Sequence, residues 1–152
     1  MIDIRRGDIN DIDTLVMFRL EFLYEIGALK SEEDKISIRK MTYDYFNNKI
    51  DNGFLFWVAL EDAKIIGMGG LIFIDRPPIN SDLTGREGYI LNMYTIPEYR
   101  KKGIGTSIVK EIITYLKKLN IKRVWLNATE DGRPVYEKIG FKSEDSGMEM
   151  FL

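Results

Sequence analysis

The chain has 152 residues, against the roughly 150 of an average domain, which predicts one compact unit spanning 1–152 and argues against a two-domain enzyme. A 45% hydrophobic, 12% aromatic and 30% charged composition excludes a disordered chain, and a net charge of −2 argues against a general nucleic-acid binder. No cysteine and no histidine occur; this removes disulfides, thiolate or imidazole metal sites, Ser/His/Asp triads and cysteine nucleophiles, so no metal is expected and any chemistry falls to carboxylates, tyrosine, lysine, hydroxyls or the backbone.

The start, Met1-Ile2-Asp3-Ile4-Arg5-Arg6, lacks the apolar core of a leader and alternates as a short strand does. Asp8, with Asp11 three residues on, predicts the cap of a helix whose apolar face includes Ile12, Leu15, Val16, Phe18, Leu20 and Leu23 and which ends near Gly27. A second helix is expected over about Glu32 to Lys49, stopped by Asp51-Asn52-Gly53. The β-forming runs Phe54 to Leu60 and Ile65 to Ile74, joined by Glu61-Asp62-Ala63-Lys64, predict an antiparallel hairpin. Both fall short of the roughly 20 residues of a membrane span. The expectation is a cytoplasmic protein with neither membrane nor nucleic acid as partner.

Arg76 to Arg86, with Pro77-Pro78 and Asn80-Ser81-Asp82, predicts a surface loop before a strand from Glu87 to about Ile96. Ile104, Ile108, Ile112 and Leu116 then recur at helical spacing after Gly103, and Val124-Trp125-Leu126 follows as a strand. Arg133 to Ile139 reads as a short helix closed by Gly140, with final strands from Phe141 onward and over Met148 to Leu152. The order β-α-α-β-β-β-α-β-α-β-β places the chain in the α/β (α+β) class: one mixed, mostly antiparallel sheet flanked by helices. Charge is unevenly spread along it. Residues 1–62 hold 8 Lys and Arg against 13 Asp and Glu, whereas 97–142 hold 11 against 5. A solvated surface and an anionic ligand on the later stretch are both compatible with this.

The densest information lies in Met93-Tyr94-Thr95-Ile96-Pro97-Glu98-Tyr99-Arg100-Lys101-Lys102-Gly103-Ile104-Gly105-Thr106, where a strand ends, a basic turn follows and a helix begins. The first amides of a helix lack partners and point along the positive end of its dipole, so an anion takes several donors at once. Glycines at 103 and 105 remove side-chain carbons that would hold an oxygen away, Arg100, Lys101 and Lys102 add field, and Thr106 adds a hydroxyl. Neither a P-loop nor a dinucleotide fingerprint fits, because the GK[ST] ending is missing and position 108 is Ile.

Arg100-Lys101-Lys102-Gly103-Ile104-Gly105 resembles motif A, (Q/R)-x-x-G-x-(G/A), of the GCN5-related N-acetyltransferase family. Gly132-Arg133-Pro134-Val135-Tyr136-Glu137-Lys138-Ile139-Gly140-Phe141 is similar to that family's G-R-P-L-Y-E-K-L-G-F segment. The resemblance implies the acyl-CoA N-acyltransferase fold and acetyl transfer from acetyl-CoA, as cosubstrate, to a small-molecule or peptide amine. It places the CoA diphosphate on amides from about Lys101 through Gly103, Ile104 and Gly105 to Thr106, and the pantetheine arm against Met93, Tyr94 and Thr95. Backbone there would stabilise charge on the thioester oxygen, a role that needs position and no particular side chain.

Tyr136 becomes the general acid to the leaving thiolate by that resemblance. Asn127 and Thr129 contact the pantetheine or cap the following turn. Glu87, Glu21 and Glu25 are candidates for deprotonating the amine, and Asn92 or Tyr94 for positioning a water. Gly67-Met68-Gly69-Gly70 marks a bulge or a close approach within its strand. An acyl-CoA-binding or sensor domain without turnover, and a domain for some other phosphate ligand such as a nucleotide, are the alternatives. Family analogy admits a homodimer.

Overall fold

The computed structural model describes residues 1–152. In chain order its elements are β1 (Asp3–Arg6), α1 (Ile12–Glu25), α2 (Glu32–Lys49), β2 (Phe54–Glu61), β3 (Lys64–Asp75), β4 (Arg86–Thr95), α3 (Ile104–Lys118), β5 (Val124–Leu126) and α4 (Arg133–Ile139). Alternation along β2 sends Phe54, Phe56 and Val58 to one face and Leu55, Trp57 and Ala59 to the other, and all six are buried. A strand buried on both faces has to lie between two layers. The sheet order is β1-β2-β3-β4-β5, antiparallel throughout except for the parallel pair β4 and β5.

Helices α1 and α2 cover one face, where Leu15, Val16, Phe18, Leu20 and Phe46 pack on Phe54, Phe56, Val58, Met68 and Tyr94. Helix α3 covers the other, laying Ile104, Ile108, Val109, Ile112 and Leu116 on Leu55, Trp57, Ile66, Leu71 and Ile90, with Tyr136 and Phe141 at the margin. Fully burying each such side chain contributes about 1.5–3 kcal/mol. Gly69 is required by this second contact, since a side-chain carbon there would lie 2.4 Å from Met93 Sδ and 2.7 Å from Ile108 Cγ2. The glycine run is therefore a site of close approach.

Local signals act where they are expected. Asp8 and Asp11 form a capping box before α1, which closes through Ala28 N–H to the Leu23 carbonyl (2.9 Å) and Gly27 N–H to the Tyr24 carbonyl (3.0 Å). Ser31 caps α2 by accepting from Asp34 N–H at 3.0 Å. No helix is long and apolar enough to cross a membrane. One expectation fails: no strand forms after α4. Lys142 to Gly147 is a polar run of turn formers, β5 offers an edge of only three residues to pair with, and Met148 and Phe151 stay 99% and 91% exposed. Period-two alternation of Met148, Met150 and Leu152 cannot make a strand without such an edge.

Candidate active site

The site begins with a fault in the sheet. Met68 pairs with Tyr94 and Gly70 with Leu91, so Asn92 and Met93 of β4 face only Gly69 of β3. Such a bulge needs one residue off the strand conformation, and Asn92 takes it at φ 53°, a left-handed value that asparagine tolerates better than most residues. On its other edge β4 pairs with β5 only at Gly88, Tyr89 and Ile90. Beyond Ile90, therefore, the Met93–Thr95 edge has no strand beside it, and a wedge opens between β4 and β5. Ordinary strand alternation then buries Tyr94 on the α1 side, while Met93 packs on the α3 side.

The turn from β4 into α3 faces this wedge with bare backbone donors. From Lys101 through Thr106 no backbone N–H has an acceptor within the protein; the first paired amide is Ser107, which donates to the Gly103 carbonyl at 3.0 Å. Lys101 at φ 61° and Gly103 at φ 80° put two left-handed residues among these amides, the backbone geometry of a nest, at the positive end of α3. At Gly105 a side-chain carbon would meet only Met93 Cε, at 4.0 Å, so the space in front of these donors is open. A diphosphate suits such a donor set, because consecutive amides bind several oxygens without a dedicated side chain. Lys102 lies with Nζ 4.7 Å from the centre of the Tyr99 ring, leaving its charge at the rim. Arg100 points elsewhere, to the Thr95 carbonyl (2.8 Å) and Glu25 (2.6 Å), and so ties α1 to the end of β4.

Tyr136, half-buried on α4, packs edge-on against Phe141 and lines a cleft of ≈ 830 Å³ with Ile113, Leu126, Asn127, Ala128 and the tail from Phe141 to Gly147; neither Met93–Thr95 nor Lys101–Thr106 lines that cleft. Burial raises its phenol above the ordinary tyrosine value, so it holds its proton at neutral pH. Asn127 donates to the Tyr89 hydroxyl at 3.2 Å, and Thr129 Oγ1 accepts from Gly132 N–H at 3.2 Å, closing the turn before α4.

Glu87 stands apart from the wedge, at the opposite end of β4. Its buried carboxylate accepts from Arg123 at 3.0 Å to both oxygens and from Trp125 Nε1 at 3.2 Å, with Arg76 at 3.3 Å. That is the setting of a structural anion. Glu25 accepts from Arg100 and, at 3.4 Å, from the Tyr94 hydroxyl, whereas Glu21 is exposed.

The stretch that holds the bulged strand, the wedge and the start of α3 lies within a family match: the model of the Acetyltransferase (GNAT) family covers residues 20–141. The chain belongs to that family. This GNAT chain is 39% identical to a predicted acetyltransferase with acetyl-CoA from Clostridium acetobutylicum, over 99% of this chain and 96% of that one, with a TM-score of 0.89. A GCN5-related N-acetyltransferase from Ralstonia eutropha JMP134 is 25% identical, with a TM-score of 0.89 over 100% and 99% of the two chains. The spermidine N(1)-acetyltransferase of Thermoplasma acidophilum is 26% identical over 99% of this chain and 94% of its own length.

Sequence reasoning missed one residue beside this GNAT site. Arg19 of α1 donates from Nη1 to Asn92 Oδ1 at 2.8 Å, reaching the bulge from the face opposite α3. The available signal was a single cation inside an apolar stretch, between the buried Phe18 and Leu20.

Proposed function

We propose that the protein transfers the acetyl group of acetyl-CoA directly to an amine held with it in a ternary complex, with no covalent enzyme intermediate. The observation that carries this is the unbroken run of unpartnered amides from Lys101 to Thr106 beside the open edge of β4. Acetyl-CoA supplies the electrophilic thioester when bound. The nest holds its diphosphate, and the Met93–Thr95 edge takes the pantetheine arm. Backbone N–H groups of β4 near Met93 stabilise charge gathering on the thioester oxygen. Tyr136, whose hydroxyl has no partner among the protein's side chains and whose phenol is kept protonated by burial, gives its proton to the leaving sulfur, and the proton shed by the attacking nitrogen passes to water and restores the phenol. Asn92 serves as a positioning residue, because its side-chain oxygen is already taken by Arg19.

Titration calorimetry with acetyl-CoA, paired with free-thiol release over a panel of amines, tests the reading. Binding together with acetyl transfer to at least one amine supports it. Binding without turnover across the panel makes the protein a non-catalytic acyl-CoA-binding domain. Displacement of acetyl-CoA by ATP at comparable concentration assigns the nest to a nucleotide.

A further inference from the structure

Most arginines of this chain stand beside a carboxylate. Arg5, Arg6, Arg76, Arg86, Arg100 and Arg123 each lie within 4.0 Å of one. Arg39 and Arg133 do not, and both are exposed. Arg19 alone combines partial burial with the lack of any acidic partner. Its neighbours are the Phe22 ring, with its centre 5.7 Å from Arg19 Cζ, the Asn92 amide and, as the one titratable group acting on it, the phenol of Tyr89; none is a carboxylate. Taking a charge out of water without a counter-ion is unfavourable, and burial accordingly lowers the Arg19 guanidinium below its ordinary value.

A guanidinium carries five N–H donors in a planar fork, and one acceptor of the protein, Asn92 Oδ1, engages Arg19. Every side-chain nitrogen or oxygen fully withdrawn from solvent has a partner. The free donors of Arg19 therefore open onto accessible space. That space is next to the chemistry: Asn92 precedes Met93, whose Cα is about 3.8 Å further along the chain. The α3 face of the bulge is the cofactor's side, so an acceptor has the α1 face to approach from. There the negative charges of Glu25 and Glu21 bear on Tyr94, while the positive charge of Arg19 bears on Asn92. The α1 side thus offers both signs of charge to one small molecule.

We propose that Arg19 is the anion anchor of the acceptor site, selecting a small amine that carries a carboxylate or another compact anionic group a few bonds from its reacting nitrogen. This rests on the acetyltransferase reading. The fork pairs two N–H groups with two oxygens of the anion, and the ion pair supplies the counter-charge that the folded protein lacks. A purely cationic acceptor such as a polyamine gains nothing from Arg19 and is repelled by it.

The test uses matched pairs of amines: phenylalanine against phenethylamine for the carboxylate, phosphoethanolamine against ethanolamine for the phosphate, with spermidine as the polycation. Each is titrated calorimetrically into the free protein and into the protein saturated with CoA, and each is assayed for acetyl-CoA-dependent thiol release. One anionic member should bind about tenfold or more tightly than its neutral partner, and the arm that shows this names the anion. In Arg19→Gln the ratio should collapse towards one through KM rather than kcat, and Arg19→Lys should restore part of it, with acetyl-CoA affinity unchanged in both variants. A preference for the neutral partners or for spermidine, no binding of any anionic member, or a ratio that Arg19→Gln leaves unmoved would each overturn the proposal. Failure of the wild-type protein to bind acetyl-CoA would instead sink the acetyltransferase reading, while the titrations of the free protein still report on Arg19.

Discussion

Replacing Gly105 by Val separates ligand contact from folding at the start of α3. A side-chain carbon at this position meets nothing nearer than Met93 Cε at 4.0 Å, and valine is a slightly better helix former than glycine, by a few tenths of a kcal/mol. The free protein should therefore keep its melting temperature. The valine methyls, however, project into the space before the amides of Ile104, Gly105 and Thr106, which have no other acceptor. Displacing a phosphate from one charge-assisted hydrogen bond, at about 1.5–3 kcal/mol, raises the acetyl-CoA dissociation constant by roughly 10- to 150-fold. Gly103→Ala is the contrasting variant. At φ 80° alanine costs about 1–2 kcal/mol, which lowers the melting temperature by roughly 2–8 °C. Calorimetric titration reads the affinity and thermal unfolding reads the fold. An unchanged dissociation constant in a Gly105→Val protein that melts normally would refute the placement of the diphosphate on these amides.

Tyr136→Phe should lower kcat by about 10²-fold while acetyl-CoA affinity stays the same, measured by thiol release and calorimetry; lost binding would make the residue structural. Because burial raises the Tyr136 phenol, its proton is retained up to and beyond the ordinary tyrosine value of about 10, so the alkaline fall of kcat should begin no lower than that; an alkaline limb near neutrality that the Phe variant abolishes would contradict this. Glu87→Gln should lower the melting temperature by roughly 2–8 °C, for a loss of about 1–2 kcal/mol to half-exposed arginines, with kcat retained. A stable Glu87→Gln protein that has lost about 10²-fold in rate would return Glu87 to the chemistry. Asp11 accepts from Arg5 at 2.8 and 2.9 Å and from Asp8 N–H at 3.0 Å, and the Arg5 hydrogen bonds hold its carboxyl below the usual range. Its contribution, about 1 kcal/mol with the cap, is therefore complete above the ordinary aspartate value of about 3.9 and is lost as pH falls through the depressed one. Melting curves of wild type and Asp11→Asn should differ at neutral pH and converge in acid; parallel profiles down to the lowest pH would show that the pair contributes nothing.

What could be read from sequence follows the range of the interactions involved. The ends of α1 and α2, the hairpin of β2 and β3, and the basic turn into α3 are fixed by neighbours a few residues apart, and each stands where its residues predict. The turn between β2 and β3 narrows to Asp62 and Ala63, both at positive φ, because a two-residue loop with that twist matches the flanking strands. The expected strands after α4 illustrate the opposite case. Alternation along Met148 to Leu152 is local, but a strand exists only by pairing, and nothing in the tail's own residues says whether the short β5 predicted at Val124 to Leu126 would receive it. Glu87 is similar. Nothing beside it in sequence announces that Arg76 and Arg123, from two other segments, enclose its carboxylate.

The two halves of the site differ in the same way. The proposed cofactor side is a property of consecutive backbone amides, so a short run of letters with two glycines is enough to locate it. The acceptor side depends on side chains brought together across the sheet, and the Arg19–Asn92 contact joins residues 73 positions apart. Asn92 illustrates the coupling. Its left-handed backbone makes the bulge that opens β4, and its amide oxygen holds the guanidinium that lacks a counter-ion. Changing it therefore alters the wedge and the orientation of Arg19 at once. Asn92→Gly, which keeps the backbone conformation and removes the amide, should leave acetyl-CoA affinity intact while weakening discrimination for an anionic acceptor. An equal loss of both would mean that the bulge and the anion site cannot be separated and that Arg19 serves only to brace the strand.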